Sequence, residues 1–114
     1  MGSRETVNYT NDPNVSVGPV QTRLVPLVAD TYHKGMLLEF DSTATAYKAL
    51  DSGTVAGVYI GSDARVLATA GFGDVLVAGG VLRSKLVDAD GAALTLTETQ
   101  IATYAQSGIY VKER

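Results

Sequence analysis

The sequence predicts a compact, mainly β domain with one short helix near its C-terminus and an N-terminal arm. Three observations lead there. Short Val/Leu/Ala runs recur between Gly-rich turns. A single helix-capping pattern occurs, late in the chain. The first twenty residues form a polar tract with isolated valines, which has no apolar face of its own to bury.

Residues 1–20 read as the arm and 21–114 as the β-rich body. Asn11-Asp12-Pro13-Asn14 is turn chemistry, and Gly18-Pro19 marks a hinge into the body. Within the arm, Thr6, Val7, Tyr9 and Thr10 are strand formers. Composition alone allows a frayed, flexible terminus. The strand formers point instead to a segment that orders as an added strand on a partner's sheet edge.

In the body, Arg23–Ala29 is a Leu/Val run interrupted by Pro26, which places it at a sheet edge or a strand start. Asp30–Gly35 reads as a turn and Met36–Phe40 as a strand. Asp41–Lys48, built from Thr, Ala and Ser, reads as a loop that leads to Ala49-Leu50 and the turn Asp51-Ser52-Gly53. Val55–Ile60 is almost continuously apolar, as a strand buried on both faces would be. Ala64–Ala70 is a further strand. Gly71-Phe72-Gly73 turns into Asp74–Ala78. Val81–Val87 then follows Gly79-Gly80, a pair that suits either a hairpin or a bulge in one bent strand.

The helix is the best-marked element. Thr97 and Gln100 form a capping box, Ile101, Tyr104 and Ala105 share one face, and Gly108 stands at the C′ position. A short strand, Ile109–Val111, follows before the charged tail.

Composition narrows function. The 114 residues carry nine Lys and Arg against twelve Asp and Glu, a net charge of −3. That is a poor balance for tracking nucleic-acid phosphates, so no nucleic-acid partner is expected. With no Cys, disulfides and thiolate chemistry are excluded. No apolar run approaches the ~18 residues of a membrane helix, so no membrane partner is expected. Met1–Thr6 lacks the apolar stretch of a secretory signal, so no export is expected. Trp is absent and Phe occurs twice, so the core depends on small aliphatic residues and mildly favours an oligomer.

No catalytic constellation stands out, and no enzymatic activity, metal or cofactor is expected. His33, the only histidine, lies in a turn near Asp30, without a Gly-x-Ser-x-Gly elbow to present a serine, and reads as a solvated residue. Asp88-x-Asp90-Gly91 resembles part of a calcium loop. In that register Leu86 and Thr97 fill positions 1 and 12, where carboxylates are required, so a plain turn is expected. Arg83 and Lys85 alternate along a strand reading and are taken as a solvated face.

Four segments, in order, carry a family resemblance: Ser3-Arg4-Glu5-Thr6 with Tyr9; Pro26–Thr31 with Leu37–Asp41; Gly53–Val58; and Thr97–Ala105 through Gly108–Val111. Together they resemble the head decoration, or capsid-stabilising, proteins of lambda-like tailed bacteriophages. Val7 departs from that family, whose arm often has an aromatic there, and Gly61–Leu86 is similar only in character. The resemblance implies a β-clip, a bent two-stranded ribbon whose ends form an incomplete barrel. It implies a non-enzymatic homotrimer made in the host cytoplasm. The trimer would sit at three-fold and quasi-three-fold sites on the outer surface of the expanded head, bound to the major capsid protein. It also implies that Arg4, Glu5, Thr6, Val7 and Tyr9 form the capsid-binding arm. The residues themselves leave open a small β-barrel ligand-binding module, and a minor enzyme using His33 with Asp30.

Overall fold

A computed structural model describes residues 6–8, 16–51, 53–62 and 64–113. Among these the strands are β1 Thr6–Asn8, β2 Ser16–Leu27, β3 Asp30–Tyr32, β4 Leu37–Asp41, β5 Ala46–Ala49, β6 Val55–Tyr59, β7 Arg65–Leu67 and β8 Gly71–Leu82. A 3-10 turn at Arg83–Lys85, helix α1 (Glu98–Gln106) and strand β9 (Ile109–Lys112) complete the described chain.

The spine is an antiparallel ribbon of the two twelve-residue strands, running from Ser16 opposite Val81 to Leu27 opposite Gly71. Its register shifts between Val17 and Val20, where Gly18-Pro19 have no counterpart, and again between Gln21 and Thr22. Across from the first shift stand Gly79 and Gly80, with Gly79 at φ 123°. Proline lacks an N–H and is tolerated at such a bulge, and a bulge bends the strand that contains it. Gly79-Gly80 thus lie inside the continuous strand β8 rather than in a hairpin turn, and the bulge is in β2 opposite them and not at the glycine pair. Gly18-Pro19 is a bulge inside β2, so the expected arm–body boundary after residue 20 falls within a continuous strand.

The main sheet is mixed, ordered β1-β2-β5-β4-β6-β8-β9, and β8 returns to pair with β2. The five strands β2, β5, β4, β6 and β8 thus form a ring. Its closure is thin: β2 and β5 meet in parallel only at Leu27 and Tyr47, with the Val28 N–H donating to the Tyr47 carbonyl at 3.0 Å. The result is a mostly β structure with an incomplete ring of strands and one C-terminal helix. Pro26 sits where that edge of β2 is unpaired, since β1 reaches only Thr22 and β5 meets Leu27.

Neighbouring residues feed two separate cores. Leu37, Val58 and Leu76 pack on one side with Val20, Val81, Leu86, Leu96, Ile109 and Tyr104 of α1. Leu38, Tyr59 and Val75 pack on the other with Val25, Leu27, Tyr32 and Met36. Strand residues alternate between faces, so β6 is buried on both, as its apolar run requires. Three buried tyrosines, Tyr32, Tyr59 and Tyr104, supply bulk that the missing tryptophans do not.

Several expectations change. Asp41–Lys48 is not a loop but a β4–β5 hairpin, pairing Asp41 with Ala46 through Leu38 with Ala49. Asp41 Oδ1 accepts from the amides of Thr43 at 2.9 Å and Ala44 at 3.3 Å, which fixes the turn. Asp30–Tyr32, expected as a turn, is a strand paired with β7. Gly71–Gly73 opens β8. The expected strand Val81–Val87 gives way at Arg83 to the 3-10 turn. The helix forms as expected. Thr97 Oγ1 accepts from the Gln100 amide at 3.2 Å while Gln100 Oε1 accepts from the Thr97 amide at 2.9 Å. Gly108 leaves the helix at φ 89°, and β9 then runs parallel to β8.

Candidate functional site

The outer edge of β2 is where the predicted arm meets the body. Arg4, Glu5 and Tyr9 lie outside the described residues, as does the turn Asn11–Asn14. Thr6 and Val7 belong to β1, which pairs antiparallel with β2: Thr6 opposite Thr22, Val7 opposite Gln21 and Asn8 opposite Val20. The sequence suggests no intrachain strand partner for this segment. The structure supplies one for residues 6–8, because β2 already begins at Ser16 and offers an edge that the arm–body division had hidden.

Beyond β1 the same ribbon exposes apolar side chains. On β2, Leu24 is 65% exposed. On β8, Phe72 is 57% exposed and lies opposite Pro26, and Asp74 lies opposite Leu24. Leu24 and Pro26 are two apart and share a face. Val25 and Leu27, between and beyond them, point into the core. Val66 on β7 and Tyr110 on β9 are also exposed. Phe40 is half covered by an edge-on contact with Tyr47, ring centroids 5.4 Å apart. The alternation in Leu24-Val25-Pro26-Leu27 was present in the sequence but is unreadable while all four residues are apolar.

The residues with chemical potential are occupied structurally. His33 is half-buried rather than solvated: its ring covers the Asp88–Gly91 turn so closely that a Cβ on Gly91 would stand 2.9 Å from Nδ1. Asp88 Oδ1 accepts from the amides of Asp90 at 2.9 Å and Ala92 at 3.0 Å, so this carboxylate closes its own loop. Among the described residues no group of three His, Asp or Glu side chains is placed to hold a metal ion. Arg83 is no member of a basic strand face. Its guanidinium donates to the Leu96 carbonyl at 2.7 Å and to Glu113 at 3.0 Å, with Glu98 at 3.7 Å. It ties the 3-10 turn to the start of α1 and the C-terminal strand.

Sequence reading missed Glu39. It is buried at 6% exposure, its Oε1 accepts from the Gly53 amide at 2.6 Å, and Lys48 opposite it approaches Oε2 at 3.5 Å. A buried carboxylate needs such partners. Their effect is to clamp the Asp51–Gly53 turn onto β4. The only hint in sequence was a charged residue inside an apolar run.

Next to that turn lies a cleft of about 150 Å³ between β4, α1 and the 86–96 loop. Its floor is Leu37, Leu50, Leu94, Leu96 and Tyr104, and Asp51 and Asp88 also line it. Burial pushes the Tyr104 phenol above its ordinary pKa. Among the described residues no helix is long and apolar enough to cross a membrane. No protein-family model matches the chain, and no curated protein does.

Proposed function

We propose that this chain decorates the outer surface of a tailed-phage head of the lambda-like class. It would bind as a homotrimer to the major capsid protein at three-fold and quasi-three-fold sites and hold the expanded shell against internal DNA pressure. The observation that carries this reading is the bent β2–β8 ribbon, whose strands run into an incomplete ring. It agrees with the β-clip that the sequence resemblance implies. Residues 6–8 of the arm pair with the ribbon's outer edge, next to the exposed Leu24 and Phe72.

Physically, such a protein needs contacts that must break before the shell can open. Ordering a ten-residue arm costs roughly 10–20 kcal/mol of backbone entropy, which strand addition to a capsid sheet edge offsets in large part. Three arms on one trimer raise the effective concentration of the second and third after the first has bound. Binding the expanded shell and not the unexpanded one stabilises the expanded state by linkage. A small-ligand module gains no support from the cleft beside α1, whose 150 Å³ lies below the roughly 300 Å³ at which ordinary ligand pockets begin.

The test is cryo-electron microscopy of the full chain, and of a form lacking residues 1–8, mixed with expanded and unexpanded heads of the cognate capsid protein. The expected result is three copies at each three-fold site on expanded heads only, with occupancy sharply reduced by the deletion. Absent density, or one or two copies per site, would refute the assignment. Full occupancy by the truncated form would refute the arm's part in it.

A further inference from the structure

We propose that the cleft beside α1 is a socket for one lysine side chain presented by a partner polypeptide. The inference rests on the cleft's size, lining and charge, and it stands apart from the capsid reading. At about 150 Å³ the cleft is too small for a drug-sized ligand and is on the scale of a single side chain. Protein interfaces concentrate their binding energy in such fits, one anchoring residue in one desolvated pocket.

The lining selects the anchor. Four leucines and Tyr104 give the cleft apolar surface for an aliphatic stem, beside the polar Asp51, Asp88 and Gln100. Asp51, on the turn after β5, and Asp88, at the start of the 88–91 turn, bring two carboxylates to the same cleft from different parts of the chain. No lysine or arginine is among its lining residues. Asp88 spends one oxygen, Oδ1, on its loop amides, which leaves Oδ2 for an incoming cation. Burying a stem while its charged head meets acceptors at the surface is how lysine and arginine ordinarily sit. Two separate carboxylates on independent loops suit the compact ammonium, with three rotatable donors, better than the rigid fork of arginine, which matches one carboxylate side-on.

The geometry is held in place by parts already described. Glu39 fixes the turn that carries Asp51, Arg83 fixes the Leu96 backbone, and the capping box fixes the start of α1. The socket is therefore formed before any partner arrives, and little ordering opposes binding.

The experiment is an amide-shift NMR titration of the full chain, with N-acetyl-lysine methylamide as the probe. Saturable shifts confined to Leu37, Leu50, Asp51, Asp88, Leu94 and Leu96 are expected. Affinity should fall about two- to five-fold when the probe is the norleucine analogue, the range that loss of an exposed charge pair predicts. A similar fall is expected in the double variant Asp51→Asn with Asp88→Asn. Asparagine keeps the acceptor oxygen that closes the 88–91 loop, so the fold is retained, and an unchanged spectrum away from the cleft checks that. Equal binding of norleucine and lysine would make the cleft merely apolar and overturn the proposal. Tighter binding of the arginine analogue would overturn the choice of lysine. Butylamine binding ten-fold tighter than the lysine probe would assign the cleft to a free amine, and the absence of saturable shifts would remove the site altogether.

Discussion

Replacing Tyr32 by Phe should reverse its effect on stability between neutral and strongly alkaline pH. Tyr32 is fully buried, its hydroxyl donates to the Val28 carbonyl at 2.7 Å, and its ring packs on Tyr59 with centroids 5.5 Å apart. Burial, then the charge of Asp30, then Tyr59, push its pKa from 10.0 up to about 12. The unfolded chain releases this proton near pH 10 while the folded chain holds it, so the folded state binds more protons in between. Stability from this group is therefore intact below pH 10 and is lost as pH rises through 12. Two units at about 1.36 kcal/mol each give a total of roughly 2.7 kcal/mol, of which about 2 kcal/mol is gone by pH 11.5. At pH 8.5, Tyr32→Phe removes one buried hydrogen bond and should cost about 1 kcal/mol. At pH 11.5 the variant no longer suffers the ionisation loss and should be about 1 kcal/mol more stable than the parent. Urea unfolding followed by far-UV circular dichroism at both pH values measures this. The other ionisable groups are common to both proteins, so their contributions cancel in the difference. A gap between parent and variant that is the same at pH 8.5 and pH 11.5 would refute the reasoning.

Three further outcomes are expected. Thr97→Ala removes the acceptor for the Gln100 amide and should cost about 1 kcal/mol in urea unfolding; no change in midpoint would mean the cap contributes nothing. Gly35→Ala should cost at least about 2 kcal/mol, because Gly35 sits at φ 92° and a Cβ there would run into the Lys85 carbonyl oxygen, a backbone atom that cannot swing aside. A melting temperature equal to the parent's would show that this crossing is looser than described. In hydrogen exchange the Val7 amide of β1 should be protected less than about 100-fold, while Val75 and Leu76 of β8 should exchange only through global opening; equal protection would make β1 part of the core.

What the sequence discloses follows the range of the interactions involved. The capping box Thr97–Gln100 and the exit at Gly108 act over three or four residues, and both were legible. β6 was legible because burial on both faces leaves a continuous apolar run. β5 was not: Ala46-Tyr47-Lys48-Ala49 has a strand's shape only because β4 lies beside it, and its small residues carry no alternation. Strand β2 is not legible as one piece, because Gly18-Pro19 has the chemistry of a hinge. Only its register against Gly79-Gly80 makes it a bulge. Glu39 and Gly53 are fourteen residues apart, and their contact depends on the β4–β6 pairing, which no local pattern encodes. Of the proposed arm, the strand preference of Thr6 and Val7 was visible, but the edge that receives them was not.

The length of β1 sets what it can do. Ordering its three residues costs about 3–6 kcal/mol of backbone entropy. The few cross-strand hydrogen bonds that Thr6–Asn8 can make with Val20–Thr22 each contribute about 0.5–1.5 kcal/mol. For these three residues the two sums are of the same order, so their pairing adds little net stability to the free chain. A longer strand would be held firmly, and a partner would have to displace it at the full cost of the lost pairing. A strand with no intrachain partner would expose its amides and the edge of β2 alike, which invites unspecific pairing between copies. The described residues Thr6–Asn8, taken by themselves, lie between these limits. They cover the β2 edge in isolation, yet a sheet edge offering only a few more hydrogen bonds, together with a pocket for one apolar side chain, would outcompete it. The proposed capsid contact needs an arm of this kind, and the bulge at Gly18-Pro19 sits immediately ahead of the β2 residues against which it rests.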